Sequence, residues 1–162
     1  MTRQRLLSMA IGTALVLTAA TAGAQAPPPY GPPITLEQAK KVMAGAEAEA
    51  KKNSWPVVIA ILDSGGNLVM TQRLDGAQFG SIEVAREKAY SSVAFRRPTK
   101  VFADALAQGG GNLRLLNLSG ASVLDGGWPI VIDGKVAGGI GVSGVTGAQD
   151  AQIGRAGIDA LK

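Results

Sequence analysis

Apolar residues recur every three or four positions in several stretches of the chain, which is the spacing of one face of an α-helix. The first stretch begins at Thr35, and Thr35 and Gln38 have the spacing of a capping box. Thr146 and Gln149 repeat this spacing near the C-terminus. The pattern therefore predicts four helices, over residues 35–53, 81–95, 99–108 and from 146 onward.

Runs of apolar and β-branched residues between turn residues predict strands over 57–62, 68–74, 129–133 and 135–143. The last two runs are joined by Asp133-Gly134, a pair that suits a type I′ hairpin turn. The leucine-rich stretch 112–125 fits either a strand or a turn of helix, and both alternatives stay open. Short hairpin connections imply mainly antiparallel pairing, so the predicted fold class is α+β.

Residues 1–24 have the features of a secretory signal peptide. Arg3 and Arg5 form a positive segment, and an uncharged apolar run and small residues follow. Cleavage after Ala24 is preferred over cleavage after Ala26, because the second site would leave Pro27 at the new N-terminus. The apolar run is shorter than the ~20 residues of a membrane span. We therefore expect a periplasmic or secreted protein with no stable membrane anchor after cleavage.

The remainder of the chain predicts one domain behind a short tether. Residues 25–33 contain five prolines and should be extended and polyproline-like. Residues 34–162, about 130 in number, are enough for a single hydrophobic core. The formal charge of the whole chain is +4, and two basic residues leave with the leader. The mature protein is therefore close to neutral, and no basic patch indicates a nucleic-acid partner.

Two residue types are absent from the sequence, and each absence excludes a class of chemistry. Without Cys the domain has no disulfides, so packing alone must hold the fold. Without His there is no Ser-His-Asp triad, no imidazole-built zinc site and no His-ligated haem. No catalytic residue and no metal ligand set can be named from the sequence, and a ligand-binding role is favoured over an enzymatic one.

The glycine-rich stretch 126–150 partly matches two motifs. Gly139, Gly141 and Gly144 have dinucleotide-loop spacing, but that loop needs an acidic residue on a second parallel strand, whereas Asp159 lies in the last helix. No nucleotide is therefore expected. Ser143 lies in an incomplete nucleophile elbow and has no His to activate it. Two interpretations remain: close packing of a helix or subunit on the glycines, or a ligand loop at Ser143-Gly144.

Arg73 is a charged group on an otherwise apolar hairpin and needs a partner. The partner is either an ion pair with Asp75 or Glu87 or the carboxylate of a ligand. Arg96-Arg97 could likewise hold an anionic ligand or form a solvated helix end. The candidate ligand-binding residues are Arg73, Lys88, Arg97, Thr99, Ser143 and Gly144.

Four further residues have both a structural and a functional interpretation. Asp63 and Asp75 end paired strands, where Asp commonly begins a turn, although both could face a ligand. Tyr30 either anchors the tether to the domain or a neighbouring subunit, or ligates ferric iron. Trp128 is predicted to be a core or interface residue.

Short blocks in a fixed order extend over nearly all of residues 34–162. They are Leu62-Asp63-Ser64-Gly65-Gly66, Arg73-Leu74-Asp75-Gly76, Ala85-Arg86-Glu87-Lys88-Ala89, Arg97-Pro98-Thr99, Gly126-Gly127-Trp128-Pro129-Ile130, Asp133-Gly134, Gly139-Ile140-Gly141-Val142-Ser143-Gly144 and Gln149-Asp150. Each block alone is unspecific. Together they resemble the GlcG/HbpS family of haem-degrading and glycolate-operon proteins, to which the C-terminal domain of PduO-type cobalamin adenosyltransferases is related.

The resemblance implies a profilin-like layered fold, in which a mainly antiparallel five-stranded sheet is flanked by helices. It also implies a homo-oligomer and a small-molecule ligand, namely haem, a corrinoid or iron. The chain departs from His-ligated haem proteins, because without His any axial ligand must be Tyr, Met, Lys or another oxygen donor.

Three functions from different classes remain as hypotheses. The first is an exported GlcG/HbpS-like protein that binds haem or another tetrapyrrole. The second is an accessory factor or weak enzyme that acts on a small carboxylate of the glycolate type, held by Arg73 or by the Ser143-Gly144 loop. The third is a purely structural module that forms oligomers.

Overall fold

A four-stranded antiparallel sheet with helices on both faces dominates residues 26–162, the part of the chain that this computed structural model describes. The predicted leader, residues 1–24, lies outside the described residues. The elements are α1 (Leu36–Lys52), β1 (Val58–Asp63), β2 (Leu68–Arg73), α2 (Ser81–Ala94), α3 (Lys100–Ala107), a 3₁₀ helix (Gly110–Asn117), β3 (Gly127–Ile132), β4 (Lys135–Ser143) and α4 (Gly147–Asp159). Among these helices, none is long and apolar enough to cross a membrane.

The sheet order is β2-β1-β4-β3, and both predicted hairpins are present. The β3–β4 turn has positive φ at Asp133 (49°) and at Gly134 (73°), as a type I′ turn requires. The two hairpins meet where β1 pairs with β4, and this pairing is also antiparallel. The α+β class is therefore confirmed, as are the two capping boxes at the starts of α1 and α4.

The sheet has four strands in residues 26–162, not the expected five. The stretch 112–125, which fitted either a strand or a helix, forms the end of the 3₁₀ helix and an irregular loop. The outer edge of β3 cannot easily accept another strand. Thr99 already occupies the backbone groups of Gly127 at one end, and Pro129 lacks an N–H to donate.

The two faces of β1 supply two separate hydrophobic clusters. Ile59 and Ile61 face α1 and α4, where they join Val42, Met43, Ile140 and Ile153 in the larger cluster. Val58, Ala60 and Leu62 face α2 and pack with Ala85 and Ala89. All six residues of β1 except Asp63 are buried, as is typical of a strand covered on both sides.

Glycines in β4 allow α2 to lie directly on the sheet. A Cβ added at Gly141 would overlap the carbonyl oxygen of Ala85, and one added at Gly139 would lie 2.8 Å from the carbonyl oxygen of Ala89. Neither glycine has positive φ, so the reason for Gly here is space rather than backbone conformation. Close packing of a helix on the glycines, one of the two interpretations of this stretch, is what the structure contains.

The described part of the tether runs along the open edge of β4. Pairing between β1 and β4 ends at Asp63 and Gly138, which leaves the first residues of β4 without a neighbour on that side. The Val136 N–H donates to the Pro29 carbonyl (2.8 Å), and the Gly31 N–H donates to the Val136 carbonyl (2.9 Å). The proline-rich segment therefore completes the backbone pairing of β4 instead of hanging free.

Candidate functional site

The six candidate ligand contacts divide into a buried set and an exposed set. Lys88, Thr99 and Ser143 are buried, Gly144 is half-buried, and Arg73 and Arg97 are exposed. The two sets differ in what their polar atoms contact. The polar side-chain atoms of the buried set bond to protein groups, whereas the two arginines face open clefts.

Lys88 forms a buried ion pair across the end of the sheet. Its ammonium donates to Asp150 Oδ2 (2.8 Å) and to the carbonyl oxygen of Val142 (2.9 Å), and both charged side chains are only 3% exposed. Gly126 has no side chain, and a Cβ there would meet both charged side chains. Lys88 of α2 is therefore held to Asp150 of α4, on opposite sides of the sheet, and no donor of this contact points into a cleft.

Asp150 also accepts a hydrogen bond from the backbone just before its own helix. Its Oδ1 accepts from the Val145 N–H (3.3 Å). Burial raises the pKa of Asp150 above that of an ordinary carboxyl group, while the hydrogen bond and the charge of Lys88 act in the opposite direction. Sequence reasoning missed this residue as the partner of Lys88. The available signal was an acidic residue in the first helical turn beside a conspicuously small, glycine-rich segment.

The other buried candidates are also engaged within the fold. Thr99 Oγ1 accepts from the Gly127 N–H (2.9 Å), and the Thr99 N–H donates to the Gly127 carbonyl (3.0 Å). Ser143 Oγ bonds to Ser81 Oγ (3.1 Å), which links β4 to the start of α2. Gly144, with φ of 154°, lies so close to Val57 that a Cβ would meet its Cα at 2.8 Å. These contacts hold elements together and leave the predicted Ser143-Gly144 loop no free hydroxyl.

Arg73 lies in an open cleft of about 580 Å³ between the end of α1 and the end of β2. The lining residues are Glu47, Ala50, Lys51, Ser54, Trp55, Pro56, Gln72, Arg73, Leu74, Asp75 and Gly76. Among residues 26–162, Arg73 forms no ion pair, so the first of the two alternatives, a bridge to Asp75 or Glu87, is absent. Lys51 is paired with Glu47 instead, which leaves Arg73 as the available cation of this cleft.

Arg97 borders a second open cleft, of about 600 Å³, between the tether and the segment joining α2 to α3. Its lining consists of Ala26, Pro27, Pro28, Arg96, Arg97, Pro98 and Val101. Arg97 Nε donates to the Phe95 carbonyl (3.0 Å), and the guanidinium lies 5.9 Å from the Phe102 ring centre. We call this the Arg97 cleft.

Arg96 and Tyr30 fix one wall of the Arg97 cleft. The Arg96 guanidinium lies 5.3 Å from the centre of the Tyr30 ring and donates to the Pro28 carbonyl (3.2 Å). The Tyr30 hydroxyl points at the carbonyl oxygens of Val93 and Ala94, 3.0 Å from each. Tyr30 therefore anchors the tether to α2, as one interpretation of the sequence predicted.

Asp63 and Trp128 have the structural roles that were predicted for them. Asp63 Oδ1 accepts from the N–H groups of Gly65 (2.8 Å) and Asn67 (2.9 Å) in the β1–β2 turn. Burial acts to raise the pKa of Asp63, but the hydrogen bonds outweigh it, so the pKa lies below its ordinary value. Trp128 packs against the larger core cluster and donates to the Ala151 carbonyl (3.1 Å).

The donor set of the clefts fits the periphery of a haem better than its iron. Residues 26–162 contain no cluster of three acidic, His or Cys side chains that could hold a metal ion. The Tyr30 oxygen is directed at backbone carbonyls, and the chain has no imidazole or thiolate. Guanidinium groups beside apolar walls suit the two carboxylates and the flat ring of a porphyrin.

The whole domain matches known proteins in both sequence and structure. Residues 34–159 match the family model described as "Haem degrading protein HbpS-like". GlcG of Escherichia coli K12 is 35% identical over 68% of this chain and 81% of its own length. Crystallised HbpS of Streptomyces reticuli, a double mutant, is 34% identical, with a TM-score of 0.74 over 93% of this chain and 99% of that one.

A third match was crystallised with haem. The structure titled "PduOC:Heme Complex" is 28% identical to this chain, with a TM-score of 0.72 over 79% of this chain and 94% of that one. The family model alone covers most of the chain. The protein therefore belongs to the HbpS-like family, in which GlcG, HbpS and the PduO C-terminal domain are its relatives.

Proposed function

We propose that this protein is exported and binds haem, through the Arg97 cleft. The observation that carries the proposal is the Arg97 guanidinium at the edge of an apolar cleft of about 600 Å³. Its family is described as haem-degrading and HbpS-like, and one structural relative was crystallised with haem. Both facts make haem the first ligand to test.

The chemistry of the Arg97 cleft suits binding by the edge of the porphyrin. Pro28, Pro98 and Val101 offer apolar contact to the ring, and Arg97 keeps terminal nitrogens available for a carboxylate. A charge-assisted hydrogen bond of this kind contributes about 1.5–3 kcal/mol. With no His in the chain, the iron would keep exchangeable ligands, so binding should be weaker than in His-ligated haem proteins.

A corrinoid is the alternative tetrapyrrole. Its periphery carries mainly neutral amides, whereas haem carries two carboxylates, so an arginine-lined cleft favours haem. Parallel titrations of the mature protein with hemin and with cobinamide separate the two ligands. If cobinamide binds saturably and hemin does not, the ligand is a corrinoid and the haem proposal is wrong.

Absorbance titration with hemin tests both the ligand and its position. We expect a saturable change at the Soret band for the mature protein, and at least about tenfold weaker binding for Arg97→Ala, because one charge-assisted hydrogen bond is lost. Arg155→Ala is the matched control, since Arg155 is an exposed arginine on the opposite layer. Absence of saturable binding to the wild type would overturn the haem proposal, and an effect of Arg73→Ala instead of Arg97→Ala would overturn the position.

A second candidate function rests on Arg73. An exposed arginine without an ion pair in residues 26–162, in a cleft that also contains the partly buried Trp55, suits a small carboxylate. Thermal shifts with a panel of 2-hydroxy and 2-oxo acids test this. A stabilisation that Arg73→Ala abolishes and Arg155→Ala preserves supports it. Identical shifts in wild type and Arg73→Ala contradict it.

Export and self-association are parts of the same proposal. Intact mass of the protein recovered from the periplasm or the medium should correspond to a chain that begins at Gln25, and a chain beginning at Pro27 would identify the second cleavage site. Retention of an uncleaved chain in the cytoplasm would contradict export. A stable homo-oligomer that binds neither hemin nor carboxylates would leave the purely structural module as the remaining hypothesis.

A further inference from the structure

We propose that the segment from residue 100 to 125, which we call the arm, packs against the outward face of α2 in a second copy of the chain, with Arg114 of the arm pairing with Glu87 of α2. The inference names a contact surface for the proposed homo-oligomer. It does not depend on haem binding, so the two can fail separately.

The arm has almost no hydrophobic core of its own. It consists of α3, the 3₁₀ helix and the loop that leads to β3, and Phe102 is its only fully buried hydrophobic residue. Four leucines stand exposed on it: Leu113, Leu116, Leu118 and Leu124, of which Leu116 is 63% exposed. The helices of the arm pack mainly on each other rather than on the sheet. Apolar side chains concentrated on a segment without a core indicate burial against something outside it.

The outward face of α2 supplies a matching surface. Ile82 and Tyr90 are exposed on α2, and Phe79 just before it is 81% exposed. A cleft of about 380 Å³ lies between α2 and the loop end of the arm of the same chain, lined by Arg86, Glu87, Tyr90, Gly120, Ala121 and Ser122. The Tyr90 ring lies between Gly66 and Gly120, where an added Cβ would meet it at 3.1 Å and 2.9 Å, so the wall of the cleft is firmly placed. A leucine side chain is of a size that enters such a cleft.

Charge complementarity points to a copy of the same chain as the occupant. Arg114 is the sole charged residue between positions 105 and 124. Within residues 26–162, neither Arg114 nor Glu87 forms an ion pair, whereas the neighbouring Arg86 is paired with Glu83 (2.9 Å). The arm therefore presents one unpaired cation amid leucines, and α2 presents one unpaired anion beside the Tyr90 ring.

A two-fold arrangement buries the arm and the α2 face of both copies at once. Each copy carries one arm and one α2 face, so the contact of Arg114 with Glu87 occurs twice across a two-fold axis. The leucines and Tyr90 then form the apolar centre of the interface, and the ion pairs fix its register. This is an isologous contact, which closes at two copies and does not propagate.

Charge reversal tests the pairing on the mature protein. Sedimentation velocity over a range of concentrations should show self-association of the wild type, weakened at least about tenfold by Glu87→Lys and by Arg114→Glu, because like charges then face each other. The double variant Glu87→Lys/Arg114→Glu should recover most of the wild-type association. Lys40→Glu, a charge reversal on the exposed side of α1, should change nothing.

Leu116→Asp provides a second variant that does not depend on the ion pair. It should leave the far-ultraviolet circular dichroism unchanged, since Leu116 is exposed, and should abolish association. A wild type that stays monomeric, an oligomer indifferent to Leu116→Asp, or single reversals that the double variant does not rescue would each overturn the inference. Hemin titration of Glu87→Lys shows whether haem binding is affected separately.

Discussion

The two helical layers of this protein cover one sheet in different ways. The layer of α1 and α4 presents ion pairs to solvent, among them Lys51–Glu47 and Arg155–Asp159. The layer of α2 and the arm also has surface ion pairs. Most of the exposed large hydrophobic side chains of residues 26–162 lie in this layer, between residues 79 and 124. One layer has an outer surface suited to water, and the other has a surface suited to a partner.

The inner surfaces of the two layers differ as well. Toward α1 and α4 the sheet presents branched side chains such as Ile59 and Ile140, which fill a thick core. Toward α2 the sheet presents the glycines of β4 beside Val58, Ala60 and Leu62 of β1, and the buried residues of the helix are mostly Ala and Ser. The first layer is stabilised by burial of a large apolar area. The second is stabilised by van der Waals contact between the backbone of α2 and the backbone of β4. We therefore expect the second layer to tolerate added volume least.

Breaking the ion pair that joins the layers should have the largest effect. Lys88→Met leaves the Asp150 carboxylate buried without its partner, which should lower the free energy of unfolding by about 3–5 kcal/mol at neutral pH. Denaturant unfolding measures this.

The pH dependence of the same variant provides a check. Burial favours the neutral form of Asp150, so the loss in Lys88→Met should become smaller as the pH falls and Asp150 takes up a proton. Replacing both residues, as Lys88→Met/Asp150→Leu, should recover part of the stability. A single variant as stable as the wild type at neutral pH would show that the pair does not join the layers.

Adding one methyl group under α2 should have the next largest effect. Gly141→Ala forces its Cβ onto the Ala85 carbonyl, so α2 must move, at a cost of about 2–3 kcal/mol in free energy of unfolding. Gly111→Ala is the matched control, because nothing lies within 4 Å of a Cβ there. Equal stabilities of the two variants in urea unfolding would contradict the close-packed description of this layer.

The smallest effect is expected at the β1–β2 turn, which belongs to neither layer. The pKa of Asp63 is lowered in the folded protein, so its contribution to stability is present above the ordinary carboxyl pKa of about 3.9 and is lost as the pH falls through the folded value. Asp63→Ala should therefore cost about 1 kcal/mol or less at pH 7, and this cost should shrink as the pH falls through the lowered pKa of Asp63. If the loss of stability in Asp63→Ala grows toward low pH, the pKa of Asp63 is not lowered by folding.

The positions of the elements could be predicted because their signals are local. The capping residues at Thr35 and Thr146 lie within one turn of the groups that they satisfy, and Asp133-Gly134 forms its turn from two adjacent residues. The stretch 112–125 could not be assigned, since its leucines fit the periods of both a strand and a helix, and it forms the end of the 3₁₀ helix and an irregular loop.

The contacts of the candidate site residues depend on residues far away in the sequence. Lys88 and Asp150 are 62 positions apart, so the local sequence could mark Asp150 as a candidate but could not identify Lys88 as its partner. Ser143 was named from its place in the glycine loop before the last helix and Thr99 from its place beside Arg97, and their hydroxyls bond to Ser81 and Gly127 inside the fold. Arg97 was named from a cluster of basic residues, and the tether beside it turned that cluster into a cleft.

By itself the sequence determined the α+β class, the two hairpins, the capped helices and, through its ordered blocks, the family. Only the tertiary structure decided which cations face open clefts, which are buried in ion pairs, and which layer keeps an apolar outer surface. The reason is the distance along the sequence over which each interaction acts. Capping, turns and hydrophobic periodicity involve residues a few positions apart, whereas burial and charge pairing depend on which distant residues the folded chain brings into contact.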